Sequence, residues 1–450
     1  MTPASHPDIS SPNELDRLAE LAEDLIQRAH QVGASAAEVT ASLQHGLNVS
    51  VRLGEVETVE HARDRGFALT VYFGQRKGSA STADLKPESL DVTLEHACAI
   101  ARYTEADPAA GLADAERMAT VFPDLDLWHP WEASVEVFID QAQRMEEAGR
   151  NVPGIRNSEG ATISSGAGYG VYANSHGFLG RERSTDHSLS CSLIGGEGDG
   201  MQRDYWWDSA HDQQSLLAAE AIGRKAAERA LARLGARSLS TRTCPVLFAP
   251  EAARSLLGHL VAAVSGGALY RQASFLLDSL GKPLFADFVN ITEHPLLRRG
   301  PSSASFDAEG VATAEKPLVA EGTLQRYVLG SYSARKLELQ STGNAGGVHN
   351  LAIEPGDLDF EGMLQALGTG LLVTDLMGQG VSVVTGDYSR GAAGFWVEDG
   401  VLAYPVEAIT IASRLQDMYA GLLAVGMDQD RRSGLMTGSW LIDRMTVAGS

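Results

Sequence analysis

The chain has 450 residues, of which 44% are hydrophobic, so it is long enough to form two or three domains with cores of their own. Its 58 acidic residues outnumber its 36 basic residues and give a formal net charge of −22 at pH 7. Affinity for nucleic acid depends on Lys and Arg contacts to phosphate, and an anionic membrane also repels an acidic protein. The composition therefore argues against a nucleic-acid or membrane partner.

The cysteines and the amino terminus indicate a cytoplasmic protein. Cys98, Cys191 and Cys244 are odd in number and far apart in sequence, so we expect reduced, mostly buried thiols. Residues 1–12 are polar, lack the apolar stretch of a secretory signal, and are expected to be frayed. The sequence contains no run of about 18 apolar residues that could span a membrane.

The first part of the chain predicts a helix, a meander of strands and a second helix. Apolar residues recur at helical spacing over 14–32, and Gly33 follows where the helix would end. Residues 39–81 alternate between apolar and polar side chains. A second helix is expected at about 87–103. We place the turns of the meander at its glycines: Gly46, Gly54, Gly66 and Gly74.

The same order of elements recurs after a segment at 104–130 that is rich in Ala, Asp and Pro, which we interpret as a linker. A helix at 134–149, strands with glycine turns over 156–194, and a helix at 215–234 are predicted to follow. This repetition predicts two related half-domains that share no visible sequence identity.

The last part of the chain is predicted to be mostly β-structure, curved or closed like a barrel. A short helix is expected at 359–367. Two turn pairs separate alternating apolar runs: Glu321-Gly322 and Asp399-Gly400. The fold class is therefore α+β, with two helix–meander–helix half-domains followed by a barrel-like C-terminal domain. We expect the domains to span these residues: 1–112, 113–240 and 241–450.

One helix near the start of the last domain bears on function. Residues 249–267 carry apolar side chains at helical spacing, with Pro250 in the first turn and Gly266-Gly267 as the expected stop. His259 lies near the edge of the apolar stripe, where a lone imidazole needs only a hydrogen-bond partner.

This helix lacks the residues of a zinc protease. In such a helix a His is followed by Glu, and a second His lies four or five residues on. Here His259 is followed by Leu260, and Ala263 and Val264 occupy the second position. A zinc site needs about three protein ligands and a base near the bound water, so the helix predicts no metal site.

Four segments in this order resemble the PmbA/TldD family, on its PmbA (TldE) side. They are GAGYGVYANSHGF at 166–178, the helix at 249–267 with YRQAS at 270–274, STGNAG at 341–346 and GDYSRGAAGF at 386–395. The spacing of the elements between them agrees over nearly the whole chain. The family implies a two-subunit intracellular metalloprotease, in which the TldD-type subunit carries H-E-x-x-x-H and a late Cys ligand. This sequence departs from that pattern at Leu260 and Val264, and it has no Cys after Cys244.

The resemblance implies a PmbA (TldE)-type subunit that supports a TldD-type catalytic partner in processing or degrading unfolded peptides. Zinc is then expected in the partner, and we assign no catalytic, cofactor-binding or metal-binding residue to this chain. A homodimer stays open as an alternative assembly. Two other functions also stay open: a self-sufficient hydrolase with an unrecognised site, motivated by His259 and the many serines, and a non-enzymatic modulator of DNA gyrase.

Other motifs favour structural roles. The glycine-rich run at 160–170 lacks Gly-Lys-Ser/Thr and precedes a strand, so it predicts a turn rather than a phosphate site. Residues 174–177 predict another turn, with an exposed His176. The sequence contains no Gly-x-Ser-x-Gly motif, because Gly330-Ser331 lacks the closing glycine.

Two hypotheses concern the last domain. His259, His294 and His349 would bind a metal only if the fold brought them together, and we favour one helix-face and two loop residues. Glycines beside its strands would let a peptide add as a further strand, although bulges and tight hairpins are the favoured interpretation. These glycines are Gly343, Gly346, Gly347, Gly386, Gly391 and Gly394.

Overall fold

The computed structural model describes residues 12–449, with side chains from residue 14 onward. Residues 1–12, which we expect to be frayed, therefore lie almost wholly outside the described residues. The helices before residue 240 are α1 (Pro12–Gln31), α2 (Pro87–Tyr103), α3 (Val135–Arg150) and α4 (Ala219–Ala232). The strands there are β1 (Ala36–Arg52), β2 (Glu55–Phe73), β3 (Arg76–Thr82), β4 (Ile155–Asn174), β5 (Leu179–Gly195) and β6 (Gln202–Ala210). The order helix, meander, helix occurs twice, as predicted.

These strands form one antiparallel sheet in the order β3-β2-β1-β4-β5-β6. The two meanders meet at β1 and β4, so that Ala41 lies between Phe67 on β2 and Val171 on β4. The two halves thus share a continuous sheet that crosses the border placed at residues 112 and 113. The division into three domains stays a prediction.

Several of the glycines that we predicted to form turns in the meanders lie inside strands, so these predictions were wrong. Gly46 and Gly66 lie inside β1 and β2, and the run 160–170 lies inside β4. Gly46 is opposite Gly166 on β4, so small residues face each other across neighbouring strands and the ladder continues. The turns lie at the other two glycines, which have positive φ angles: Gly54 at 84° and Gly74 at 60°.

The four helices pack on one face of this sheet. Alternate strand residues point to that face and are buried, with α1 and α2 covering one half and α3 and α4 the other. The opposite face, which we call the polar face, carries small and polar side chains that are partly or fully exposed. They include Ser42, Gln44, Asn48, Thr162, Ser164, Ser184, Asp186 and Ser188.

The C-terminal region contains the remaining elements. Its helices are α5 (Pro250–Ala263), α6 (Gly266–Tyr270), α7 (Ser331–Lys336), α8 (Phe360–Leu367) and α9 (Leu415–Ala420). Its first strands are β7 (Arg242–Phe248), β8 (Ile291–Glu293), β9 (Lys316–Ala320), β10 (Thr323–Leu324), β11 (Leu351–Ile353) and β12 (Gly370–Met377). Its later strands are β13 (Asp387–Glu398), β14 (Val401–Arg414), β15 (Leu422–Val425), β16 (Leu435–Met436) and β17 (Trp440–Gly449).

The C-terminal region has a closed sheet, which confirms the barrel-like prediction. Its strand order is β14-β13-β12-β7-β17-β15, and β14 also pairs with β17, for example at Ile411 and Val447. A second sheet of short strands has the order β10-β9-β8-β11-β16. Both predicted turn pairs have positive φ angles at both residues, as type I′ turns require: Glu321-Gly322 and Asp399-Gly400.

The segment interpreted as a linker packs against the C-terminal region. The guanidinium of Arg335 on α7 donates to the carbonyl of Leu112 at 2.5 Å, and the amide of Ala119 donates to the carbonyl of Gly310 at 2.9 Å. The three cysteine thiols are free and buried, as expected. Within residues 12–449, helices that are both long and apolar enough to cross a membrane are absent.

Candidate functional site

Helix α5 and the residue that follows it bury the two positions at which a zinc-protease helix would carry its acid and its second imidazole. Leu260 and Val264 are fully buried in the main hydrophobic core, and so is Leu257. The phenol of Tyr419 on α9 donates a 2.9 Å hydrogen bond to the carbonyl of Leu256, which holds the helix against the barrel. This face of α5 therefore packs the core.

The end of α5 differs from the prediction. The helix ends at Ala263, and Gly266 opens α6 instead of terminating α5. The side chain of Ser265 caps α6 by accepting a hydrogen bond from the amide of Ala268 at 3.4 Å. A Cβ atom at Gly266 would lie 2.2 Å from the hydroxyl of Ser333 on α7. Gly266 therefore permits close packing of α6 on α7.

His259 lies half-buried on α5, with its ring centroid 6.2 Å from that of Tyr388 on β13. Burial lowers the pKa of the imidazole, and the positive charge of Arg390 lowers the pKa further. Among the described residues, Nε2 of His259 has no hydrogen-bond partner, and neither have the Tyr388 hydroxyl and Nε of Arg390. The partner that we expected for this imidazole is therefore missing.

His294 and His349 face other neighbours. His294 is partly exposed just after β8, and its Nδ1 lies 2.9 Å from the carboxylate of Glu315. His349 precedes β11, and its Nδ1 lies 3.2 Å from the carboxylate of Glu293. Across residues 12–449, His, Cys, Asp and Glu side chains form no group of three or more that could hold a metal. In this structure the three histidines therefore do not converge on one group of ligands.

Sequence reasoning missed a buried charge cluster around Glu293, the last residue of β8. Its carboxylate accepts hydrogen bonds from Arg326 at 2.5 Å, from Asn344 at 2.8 Å and from the backbone amide of His349 at 2.7 Å. Lys316 lies 3.6 Å away. Burial opposes ionisation, but these hydrogen bonds and charges outweigh it and hold the pKa of Glu293 below its usual value.

A cavity of about 510 Å³ lies between the polar face and loops of the C-terminal region. Ser42 lines one side, and the segments 302–308 and 345–349 line the other. Glu182 on β5 is exposed at this cavity, although protein occupies much of the volume around it. Burial raises the pKa of its carboxyl, and the charge of the nearby His349 lowers it. The cavity thus contains an ionisable acid beside an imidazole.

A second cavity, of about 450 Å³, adjoins the first and shares Glu182 and Phe306 with it. Phe122 lines this cavity and is 50% exposed, and its ring centroid lies 6.0 Å from that of Phe306. The two cavities lie side by side between the N-terminal sheet and the C-terminal region, and their walls are polar and aromatic. We call them together the interdomain cleft.

Family models match most of the chain in three parts. The PmbA/TldA metallopeptidase domain 1 matches 37–101, the central domain matches 128–234 and the C-terminal domain matches 241–449. The chain belongs to the PmbA/TldD family.

Individual relatives agree with this assignment. Metalloprotease PmbA of Escherichia coli O157:H7 is 49% identical over 414 residues, which cover 92% of each chain. A candidate modulator of DNA gyrase from Bacteroides thetaiotaomicron has a solved structure with a TM-score of 0.92 and 28% identity, covering 97% of this chain and 99% of that chain. The structure of TldE from Thermococcus kodakarensis shares the fold, with a TM-score of 0.83, 20% identity, and coverage of 95% and 100%.

The family name implies a metal, but the residues around His259 do not fit zinc. They supply one imidazole, one phenol and the guanidinium of Arg390, whose positive charge repels a cation. Leu260 and Val264, at the positions of the acid and the second imidazole in the TldD-type motif, are aliphatic and buried.

One Ser/His pair in this PmbA/TldD-type fold bears on the hydrolase alternative. The hydroxyl of Ser165 lies 2.9 Å from Nδ1 of His187, whose Nε2 lies 2.8 Å from the carbonyl of His129. His187 is fully buried beneath Trp131, with ring centroids 5.5 Å apart. A peptide bond cannot reach an imidazole at this depth, so the pair favours a structural role.

The glycines of the last domain make turns and bulges. Strand β13 pairs on both sides, with β12 and β14, so Gly391 and Gly394 leave no free edge for a peptide. A Cβ atom at Gly394 would lie 1.9 Å from the carbonyl oxygen of Leu372, at a bulge in the ladder. The other four glycines have positive φ angles: Gly343, Gly346, Gly347 and Gly386. These contacts favour turns and bulges over the addition of a peptide strand at these glycines.

The turn at 174–177 is confirmed. Gly177 has a φ of 78° between β4 and β5, and His176 is exposed. Nε2 of His176 lies 3.1 Å from the carbonyl of Ala113, so this residue contacts the segment that joins the two half-domains.

Proposed function

We propose that this chain is the PmbA (TldE)-type subunit of a cytoplasmic metalloprotease complex that processes or degrades unfolded peptides. A TldD-type partner would supply the H-E-x-x-x-H helix, the zinc and the hydrolysis. One observation carries the proposal: Leu260 and Val264, which stand where that motif has its acid and second imidazole, are fully buried in the hydrophobic core. Ligands could not be placed there without disrupting the packing of α5.

The interdomain cleft supports a role in holding substrate. It lies against the polar face, whose small side chains leave room for an extended chain, and it offers Glu182, His349 and the exposed ring of Phe122 as contacts. An enclosure built with a second subunit would admit flexible peptides and exclude folded proteins. This chain would thus bind and position peptides, and also stabilise the active subunit.

Reconstitution tests the proposal. The full chain alone should not hydrolyse unfolded peptides and should contain no stoichiometric zinc by elemental analysis when purified without chelator. Mixing with a related chain that carries H-E-x-x-x-H should give hydrolysis that a chelator abolishes. The mass of the mixture should correspond to a complex of both chains. Turnover by this chain alone that survives chelator, or about one zinc per chain, would contradict the proposal.

A second candidate function comes from the relative described as a candidate modulator of DNA gyrase. With a net charge of −22, this chain would contact the gyrase protein rather than its DNA. Co-sedimentation with purified gyrase in the absence of DNA would favour this function. Hydrolysis restored by the TldD-type chain without any gyrase binding would exclude it.

A further inference from the structure

Three polar side chains meet beside α5, and we call them the His259 cluster: His259, Tyr388 and Arg390. Tyr388 and Arg390 are two residues apart on β13, so their side chains lie on the same face of the strand about 7 Å apart. Tyr388 is only 1% exposed, whereas His259 and Arg390 are half-buried. Each of the three has a buried polar atom without a partner among the described residues.

The cluster has several possible donors but no anionic acceptor of its own. Nε of Arg390 only donates, and the phenol of Tyr388 and the neutral imidazole of His259 can each donate one hydrogen bond. No carboxylate is among the groups that shift the pKa of His259 or of Tyr388, where burial and Arg390 are the causes. The cluster is therefore a small electropositive site in an acidic protein.

Arg390 differs in this respect from other half-buried arginines of the chain. Arg326 bonds to Glu293, Arg229 lies 3.2 Å from Asp204, and Arg432 lies 2.9 Å from Asp430. Within residues 12–449, hydrogen bonds and ion pairs to the side chain of Arg390 are absent. Buried polar atoms are normally paired, so three unpaired atoms that can donate, one of them on a cation, point to an anionic ligand that is not part of the chain.

We propose that the His259 cluster binds a carboxylate, and that this carboxylate is the free C-terminus of a peptide. The assignment to a peptide rests on the proposed function, because each proteolytic cleavage creates a new C-terminal carboxylate. Arg390 would bond to one carboxylate oxygen, the Tyr388 hydroxyl would donate to the other, and His259 would complete the set through Nε2. Arg390 and His259 are each partly exposed, so a chain end would approach past them, whereas the depth of Tyr388 would limit access to small groups.

Calorimetric titration of the full chain without any partner tests this inference independently of proteolysis. The probes are a short unstructured peptide with a free C-terminus, the same peptide with an amidated C-terminus, acetate and inorganic phosphate. We expect the free peptide to bind at least about tenfold more tightly than the amidated one, because the amide loses a charge-assisted bond. Acetate should compete with the free peptide at high concentration.

Two tyrosines of the same core separate binding from folding. The hydroxyl of Tyr419 donates to a backbone carbonyl, whereas that of Tyr388 has no protein partner. Tyr419→Phe should therefore lower the melting temperature without changing peptide affinity. Tyr388→Phe should leave the melting temperature unchanged and weaken peptide binding about tenfold.

Two arginines provide a second matched pair. Arg390→Gln should weaken binding of the free peptide by about a hundredfold and remove the preference over the amidated peptide. Arg414→Gln, at an exposed position of β14 beside Asp387, should not change binding.

Other results would overturn the inference. Equal binding of free and amidated peptides would show that the carboxylate is not recognised. Tighter binding of phosphate than of the peptide, or of acetate with no peptide binding, would assign the cluster to another anion. Absence of binding by every probe, or undiminished binding by a folded Arg390→Gln variant, would show that the three polar atoms are merely hydrated. None of these results would bear on hydrolysis by the reconstituted complex.

Discussion

Two groups of buried polar side chains in the C-terminal region differ in whether their polar atoms have partners within the chain. Around Glu293, every charge is matched by another charge or a hydrogen bond from the same chain. In the His259 cluster, the polar atoms lack partners among the described residues. A buried polar group without a partner destabilises the fold, whereas a fully bonded one is compatible with a rigid core. The comparison indicates that the first group maintains the structure and that the second one is available to a ligand.

The strongest test of this comparison introduces a new unpaired charge on α5. Leu257→Asp places a carboxylate at a fully buried position among aliphatic side chains. The loss should be roughly 5 kcal/mol, which is comparable with the whole stability of a domain at about 5–15 kcal/mol. We expect unfolding of the C-terminal region, measured by urea denaturation. Ser255→Asp, at a half-buried position of the same helix, is the control and should be tolerated.

Removing the carboxylate of Glu293 should cause the next largest loss of stability. Glu293→Ala leaves the largely buried Arg326 and Lys316 side chains without their counter-charge, at a cost of about 3–5 kcal/mol. The free energy of unfolding in urea measures this cost. The matched control is Glu315→Ala, which removes only an exposed pairing with His294. Similar losses in both variants would mean that the Glu293 cluster contributes no more than a surface pair.

The pH dependence of stability should also depend on Glu293. The pKa of Glu293 in the folded protein is below its ordinary value of 4.5, so its charge stabilises the fold fully above pH 4.5. This contribution is lost as the pH falls through the folded-state pKa. Unfolding free energies of the wild type and Glu293→Gln should therefore differ most above pH 4.5 and converge in acid. A constant difference at all pH values would contradict this assignment.

The smallest effect on stability is expected from a substitution in the His259 cluster. His259→Gln removes no hydrogen bond within the described chain, so the unfolding free energy should change by less than about 1 kcal/mol at neutral pH. Burial lowers the pKa of His259, so the contribution of its neutral ring is present above pH 6.5 and is lost below it. The unfolding free energy of the His259→Gln variant should not show this loss below pH 6.5. A large loss at neutral pH would show that His259 supports the fold directly.

The helices and hairpins could be predicted because their signals are local. The stripe of α1 and the turn pairs Glu321-Gly322 and Asp399-Gly400 depend on residues that are close in sequence. Gly46 and Gly166 were wrongly predicted to form turns, because their place inside strands depends on pairing between segments that are distant in sequence. Closure of the barrel through β14 and β17 also leaves no local pattern.

The candidate site was predictable only in part. The departure of α5 from a zinc helix is visible at Leu260 and Val264, because the motif lies on consecutive turns. The approach of Tyr388 and Arg390 to His259 depends on how β13 enters the barrel, which sequence spacing does not reveal. The one local signal was the segment 386–395 of the family resemblance, which contains both residues.

The pairing of β1 with β4 at the centre of the first sheet has a consequence for synthesis. Roughly 100 residues, including β2, β3, α2 and α3, separate these strands along the chain, and such non-local pairing is slow to form. While the ribosome makes this stretch, β1 has an edge without hydrogen-bond partners, and such edges promote aggregation. A fragment cut near residue 112 would keep that edge permanently. The second half of the sheet thus protects the first half during biogenesis.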